Sequence, residues 1–190
     1  MTVSSSPDDR NQTSILGFQA YLAVALLSGS ILSYELFVMR VFANGGWSHF
    51  GSTVVSIAML GFGAFSTVLC IWKQLFKKRL TFWINFALIL LGLSMVAANS
   101  AAQKVPFNPI FLVSDPNQRF FLAFYFLLYF VPFLLGAMFL GLFFIRAQQS
   151  FGKAYFANMT GSGLGGLILF ALQNTKYGLI LATWLAKFVQ

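Results

Sequence analysis

The stretch Ser28-Gly-Ser-Ile-Leu-Ser-Tyr-Glu-Leu-Phe-Val-Met-Arg40 decides how this chain folds. It belongs to one long apolar run, Ile15–Val41, and Glu35 lies well inside that run. The chain has four acidic residues, and the other three stand in polar segments. A carboxylate surrounded by hydrocarbon costs several kcal/mol unless it is protonated or paired. We therefore predict that Glu35 faces protein or a polar cavity and not lipid.

Small side chains stand just before Glu35, at Ser28, Gly29 and Ser33. In membrane helices, small residues let a second helix backbone approach closely. This helix is therefore predicted to be the one around which the others pack. Further packing positions are predicted in the later apolar runs, at Gly61, Gly63, Gly136, Gly161 and Gly165.

The composition indicates an integral membrane protein. Of 190 residues, 58% are hydrophobic and only 8% are charged, with a mean hydropathy of +0.79. Soluble domains carry about 25% charged residues. A net charge of +8 would suggest nucleic acid in a soluble protein, but these cations stand at the ends of apolar runs, next to lipid headgroups. The predicted partners are the bilayer and other membrane subunits, and not nucleic acid.

The predicted fold is all-α, a polytopic transmembrane bundle of about six helices, because helices satisfy their own backbone groups in lipid. A polar tail is predicted at residues 1–14 and the helical domain at residues 15–190. The predicted helices are Ile15–Val41, Phe50–Trp72, Leu80–Ala98, Phe120–Ile145, Ala154–Leu172 and Tyr177–Val189. The last helix spans only about 20 Å by helical rise, which is short for a complete crossing.

Lysine and arginine counts predict the orientation. One side of the membrane collects eight cations, four of them in the cluster between the second and third helices, and the other side collects four. The positive-inside rule then places both termini in the cytoplasm. The expected location is the bacterial cytoplasmic (inner) membrane.

The segment Gly161-Ser-Gly163-Leu-Gly165-Gly166 matches the letters of a dinucleotide fingerprint. That fingerprint requires a preceding strand, a following helix and an acid about 20 residues later. Here the glycines stand inside an apolar helix, and no acid follows Asp115. The segment is therefore predicted to be a helix-packing face and not a nucleotide site.

His49 is the only histidine, and no cluster of cysteines or carboxylates accompanies it. A conventional metal site is therefore not predicted. A single imidazole is compatible with axial ligation of a haem or another tetrapyrrole pigment, which stays as an alternative. No cofactor and no catalytic group are predicted.

Two segments together resemble a known family. Tyr34-Glu35-Leu-Phe-Val-Met-Arg40 is followed by a glycine-containing turn, and Tyr155-Phe-Ala157-Asn158-Met-Thr-Gly161-Ser-Gly-Leu-Gly165 begins a later helix. They resemble the Tyr-Glu…Arg and Tyr-x-Ala-Asp-x-x-Gly-x-x-x-Gly patterns of membrane-embedded spermidine synthase-like proteins, with Asn158 in place of the aspartate. The resemblance implies a membrane domain that lacks the soluble Rossmann-like domain, where the family's aminopropyl transfer would reside.

Three functions are compatible with these observations. The first is a non-catalytic membrane subunit or membrane domain within a larger assembly, favoured by the small-residue faces and the lack of a catalytic constellation. The second is a small-solute or lipid transporter, suggested by Glu35 and the glycine-interrupted helices. The third is a membrane anchor for a separate aminopropyltransferase-like enzyme subunit.

The partner of Glu35 is expected on another helix. Arg40 is five residues away, about 140° around the helix, and its long stem should extend toward the membrane surface. Side chains at a similar depth are Ser52, Ser56, Tyr125 and Tyr129. Glu35 is interpreted either as a structural hydrogen-bond anchor or as a proton or ligand site.

Overall fold

The chain was analysed as a computed structural model, which describes residues 17–44, 51–102, 104–105 and 116–174. Those ranges are almost wholly helical and contain no strand, so the all-α prediction is confirmed for them. The helices are α1 (Phe18–Asn44), α2 (Gly51–Lys78), α3 (Leu80–Ala102), α4 (Pro116–Arg146) and α5 (Phe151–Asn174), with a short 3-10 helix (Gln148–Ser150) before α5.

Five segments in the described ranges are long and apolar enough to cross a membrane. They are Phe18–Arg40, Gly51–Lys78, Leu80–Ala102, Gln118–Arg146 and Gln148–Gln173. This supports a polytopic membrane protein. The polar tail at residues 1–14 and the sixth helix at Tyr177–Val189 lie outside the described residues, so the helix count and the orientation stay predictions.

The basic cluster at residues 73–79 is where the predicted boundaries differ most from the structure. The sequence suggests a loop there, whereas α2 continues through Lys78 after a break at Trp72, whose φ of −109° and ψ of 24° are not helical. Lysine is a good helix former, so a short basic extension is stable once the backbone has turned at the break. Lys73, Lys77 and Lys78 therefore project from helical backbone at the end of α2, and Arg79 stands in the turn before α3.

Helix α4 is the centre of the bundle. In its most apolar window, 61% of the residues are buried, against 11–28% in the other four spans. Its Phe133 and Leu142 are fully enclosed, and the helix continues through the buried Pro132. α2 and α3 both pack extensively on α4, and only weakly on each other.

Helix α5 is attached to this centre through α1. The contact between α1 and α5 is the most extensive in the bundle, whereas α4 and α5 make few contacts with each other. α1 joins the centre by packing on α2 and by contacts with α4 that include Ile31 on Gly136, Tyr34 on Phe133 and Phe42 on Tyr129. The order of packing therefore places α1 between α5 and the rest of the chain.

Candidate functional site: the α1–α5 interface and Glu35

A series of hydrogen bonds joins α1 to α5 along most of their length. The pairs are Tyr21 Oη to Ser150 Oγ (2.8 Å), Ser28 Oγ to Asn158 Oδ1 (2.5 Å), Ser33 Oγ to the Gly165 carbonyl (3.0 Å) and Arg40 Nη1 to Gln173 Oε1 (2.5 Å). The residue numbers rise together on both helices, so α1 and α5 run parallel. Three spans lie between α1 and α5, and an odd number of intervening spans returns the chain to the same direction.

Glycines allow the two backbones to touch between these hydrogen bonds. A Cβ added at Gly161 would lie 2.0 Å from the Ala25 carbonyl oxygen, and one added at Gly165 would lie 2.5 Å from Gly29 Cα. A Cβ added at Gly29 would in turn lie 2.7 Å from the Gly161 carbonyl oxygen. The packing positions predicted at Gly29, Gly161 and Gly165 therefore belong to a single interface.

Asn158 lies inside this interface and is only 9% exposed. Its side-chain oxygen accepts the hydrogen bond from Ser28, which is itself buried. In the resemblance noted above, this position corresponds to an aspartate. In this chain the neutral amide holds the two helices together without introducing a charge, which suits an apolar interface.

The other predicted packing glycines differ in whether another helix lies against them. A Cβ at Gly61 would lie 3.0 Å from the Leu134 nitrogen, which places α2 against the backbone of α4. A Cβ at Gly136 would lie 3.0 Å from Ile31 Cδ1, so α1 packs on α4 there. Gly63 is exposed, and among the described residues nothing lies within 4 Å of its Cβ position. The packing contact predicted at Gly63 is therefore absent from this part of the chain.

Glu35 occupies the buried seam of α1. The seam consists of residues at alternating spacings of four and three, namely Val24, Ser28, Ile31, Glu35, Val38 and Phe42. This spacing keeps side chains on one face of a helix. Every member of the seam is buried except Glu35, which is half-buried. The burial of its neighbours shows that this face of α1 packs on protein, but Glu35 itself is only half-buried, so the exclusion of its carboxyl from lipid stays a prediction.

The exposure of Glu35 has a geometric cause. At 100° per residue, Glu35 points between Ile31, which meets α4, and Ser28, which meets α5. Because α4 and α5 hardly touch each other, the described residues leave a strip of α1 uncovered between them. We call this strip, centred on Glu35 and bounded by Ser28 and Ile31, the Glu35 gap.

The series of α1–α5 hydrogen bonds skips Glu35. Tyr21, Ser28 and Glu35 are spaced seven residues apart. Tyr21 bonds to Ser150 and Ser28 bonds to Asn158, which lie 129 and 130 residues later in the chain. Continuing that register brings Glu35 to the level of Gly166, where α5 has no side chain. No hydrogen bond or ion pair reaches the Glu35 carboxyl from any residue that the structure describes.

The partners expected for Glu35 are engaged elsewhere. Ser56 Oγ donates to the Ser52 carbonyl of its own helix, and Tyr125 Oη donates to the Ala102 carbonyl of α3. Tyr129 is buried with its ring 5.7 Å from that of Phe42. The expectation that one of these side chains satisfies the carboxyl is therefore wrong for the described structure.

Tyr34, next to Glu35 in the sequence, adds a second polar group without a partner. Its ring packs on Phe133 with centroids 5.9 Å apart, and its hydroxyl is buried with no hydrogen bond in the described part of the chain. Arg40 bonds to Gln173 and not to Glu35. The site thus combines a satisfied α1–α5 interface with two unsatisfied groups beside it.

Three members of the interface were not anticipated from the sequence, namely Tyr21, Ser150 and Gln173. The seven-residue spacing from Tyr21 to Ser28 to Glu35 is the sequence signal that identifies Tyr21 as part of a polar seam. Ser150 and Gln173 carry no comparable signal, because each stands in a short polar stretch near a helix end.

No group of three or more His, Cys, Asp or Glu side chains able to hold a metal ion occurs among the described residues. His49, the candidate tetrapyrrole ligand, lies outside them. The absence of a cofactor therefore stays a prediction, with tetrapyrrole ligation by His49 as its alternative.

Comparison with known proteins returned no match among family models, curated proteins or solved structures. The resemblance to spermidine synthase-like membrane proteins stays a prediction from the two quoted segments.

Proposed function

We propose that this chain is a non-catalytic, membrane-embedded subunit that packs within a larger membrane assembly through the Glu35 gap. The observation that carries the proposal is Glu35 itself: an acidic side chain in the buried seam of a membrane helix, with no partner among the described residues. An aspartate at the centre of a membrane helix costs about 3 kcal/mol on insertion scales. A second protein that satisfies the carboxyl would recover much of that cost.

The expected occupant is a transmembrane helix that presents a donor at the depth of Glu35. Glu35 lies five residues before Arg40, about 8 Å along the helix axis. A lysine, arginine or hydroxyl side chain on the incoming helix would complement the carboxyl. Polar contacts of this kind contribute about 1–2 kcal/mol between membrane helices in model peptides.

The test compares Glu35→Leu with Ser30→Leu. Both changes replace a polar residue of α1 by leucine, but Ser30 is exposed and bonds only to the Leu26 carbonyl of its own helix. Each tagged chain is extracted from its native membrane in mild detergent, and the mass of the intact complex is measured by native mass spectrometry. We expect the wild type and Ser30→Leu to retain the same partner, and Glu35→Leu to lose it.

The stability of the isolated chain separates a partner site from an internal anchor. Removing an uncompensated buried charge stabilises a protein, whereas removing one side of a satisfied pair destabilises it. Glu35→Leu should therefore make the purified chain equally or more resistant to unfolding while it abolishes the complex. A wild-type chain that purifies without any partner contradicts the proposal, as does a complex that survives Glu35→Leu unchanged.

A further inference from the structure

A second feature lies at the opposite end of α1, away from Glu35. The first turns of α1 and α5 enclose a groove of about 450 Å³. Its lining includes the small residues Ala25, Gly152 and Ala157 as well as large apolar side chains. Among the large residues, Phe18 is 79% exposed and Phe156 is 71% exposed.

The size of the groove suits a lipid acyl chain better than a transmembrane helix. It extends along α5 from Gly152 to Thr160, about 12 Å by helical rise. A transmembrane helix is itself about 10 Å wide and would need a contact several turns long. A short groove with a mostly apolar lining suits part of an extended acyl chain.

One end of the groove carries a positive charge. Lys153 lines that end. It is close in sequence to Ser150, whose Oγ accepts a hydrogen bond of 2.8 Å from the Tyr21 hydroxyl. The only acidic residue among those described is Glu35, toward the other end of α1, so no carboxylate in that part of the chain can pair with Lys153.

Further cations surround the same end of the bundle. Arg146 Nη1 lies 3.2 Å from Thr81 Oγ1, which brings the end of α4 beside the start of α3. The basic extension of α2, with Lys77 and Lys78 in its last turn, is therefore at the same membrane face as Lys153. This face attracts anionic lipids in general, and the groove offers one position where a headgroup and a tail are held together.

We propose that the groove between α1 and α5 binds one anionic phospholipid, with its phosphate at Lys153 and the first part of an acyl chain over Ala25 and Ala157. The tail alone gives little selectivity, because lipid tails are as apolar as the groove. Selectivity for the anionic lipid comes from Lys153, and retention of any lipid comes from the shape of the groove.

The experiment uses the full chain in detergent with added phosphatidylglycerol or phosphatidylcholine, and counts retained lipids by native mass spectrometry. We expect the wild type to retain phosphatidylglycerol about fivefold more tightly, the equivalent of about 1 kcal/mol for one cation. Lys153→Gln should remove this preference without weakening the retention of phosphatidylcholine. Lys73→Gln, an exposed cation of the basic α2 extension outside the groove, should leave the preference unchanged.

A second pair of variants tests the shape of the groove. Among the described residues, nothing lies within 4 Å of a Cβ at Gly152 or at Gly163, so a side chain can start at both positions without a clash at its Cβ. Gly152 lines the groove and Gly163 does not. Gly152→Leu should reduce retention of both lipids, and Gly163→Leu should not. Equal retention of the two lipids by the wild type overturns the proposal, as does a preference that survives Lys153→Gln or falls equally in Lys73→Gln.

Discussion

Replacing Gly161 by alanine tests the closest contact in the bundle. The new Cβ would lie 2.0 Å from the Ala25 carbonyl oxygen and 2.4 Å from Ala25 Cα. Real Cβ atoms essentially never approach closer than 3.0 Å, and backbone atoms cannot rotate away. The two helices must therefore separate by about 1 Å at this point.

The separation has consequences for the neighbouring hydrogen bonds. The distance from Ser33 Oγ to the Gly165 carbonyl is 3.0 Å, and an added ~1 Å places it outside hydrogen-bonding range. Overpacking costs about 1–3 kcal/mol, and each lost bond between membrane helices costs about 0.6 kcal/mol. Alanine also favours the helix by about 1 kcal/mol relative to glycine. The net expectation is a loss of about 1–3 kcal/mol in the free energy of unfolding.

The assay is reversible unfolding of the purified chain in mixed micelles with increasing denaturing detergent. Gly163→Ala is the matched control, because it stands two residues away on the exposed side of the same helix. It should be neutral or slightly stabilising. Equal stability of Gly161→Ala and Gly163→Ala would refute the close backbone contact.

Three further changes probe other contacts, with the same unfolding assay. Gly61→Leu should lower the free energy of unfolding by about 1–3 kcal/mol or more, because a Cβ at this position already lies 3.0 Å from the α4 backbone. Gly63→Leu should not lower it. Similar losses from both variants would contradict the α2–α4 contact. A double-mutant cycle of Ser28→Ala and Asn158→Ala should give a coupling of about 0.6 kcal/mol, and purely additive losses would show that their hydrogen bond contributes nothing. Arg40→Met, which removes a partly buried hydrogen bond near the end of α1, should cost less than about 1 kcal/mol, and a larger loss would show that Arg40 stabilises more than that one contact.

The positions of close packing were largely predictable from the sequence, because small residues in apolar helices have few other uses. Gly29, Gly161 and Gly165 follow this rule. Gly63 shows its limit, since glycine on the exposed face of α2 has the same local sequence character as glycine in an interface. A sequence pattern shows that a helix has a small-residue face, but not which way that face turns.

The partners across the interface were not predictable. Ser28 was expected to pack, but its bond to Asn158 joins residues 130 positions apart, and no local pattern encodes that pairing. For Glu35, depth alone suggested serines and tyrosines of α2 and α4. Of those side chains, Ser56 bonds to a carbonyl of its own helix and Tyr125 to a carbonyl of an adjacent helix.

The pairing of α1 with α5 also orders events during synthesis. The bonded residues are separated by 129 to 133 positions, and ribosomes add about 5–20 residues per second. About 6–26 s therefore pass between the appearance of a donor on α1 and that of its acceptor on α5. Throughout that interval α1 is in the membrane with Ser28, Ser33 and Arg40 still lacking the groups that α5 supplies. A nascent chain stopped before Phe151 would present the same unpaired seam permanently, and membrane quality control should recognise it as unfinished.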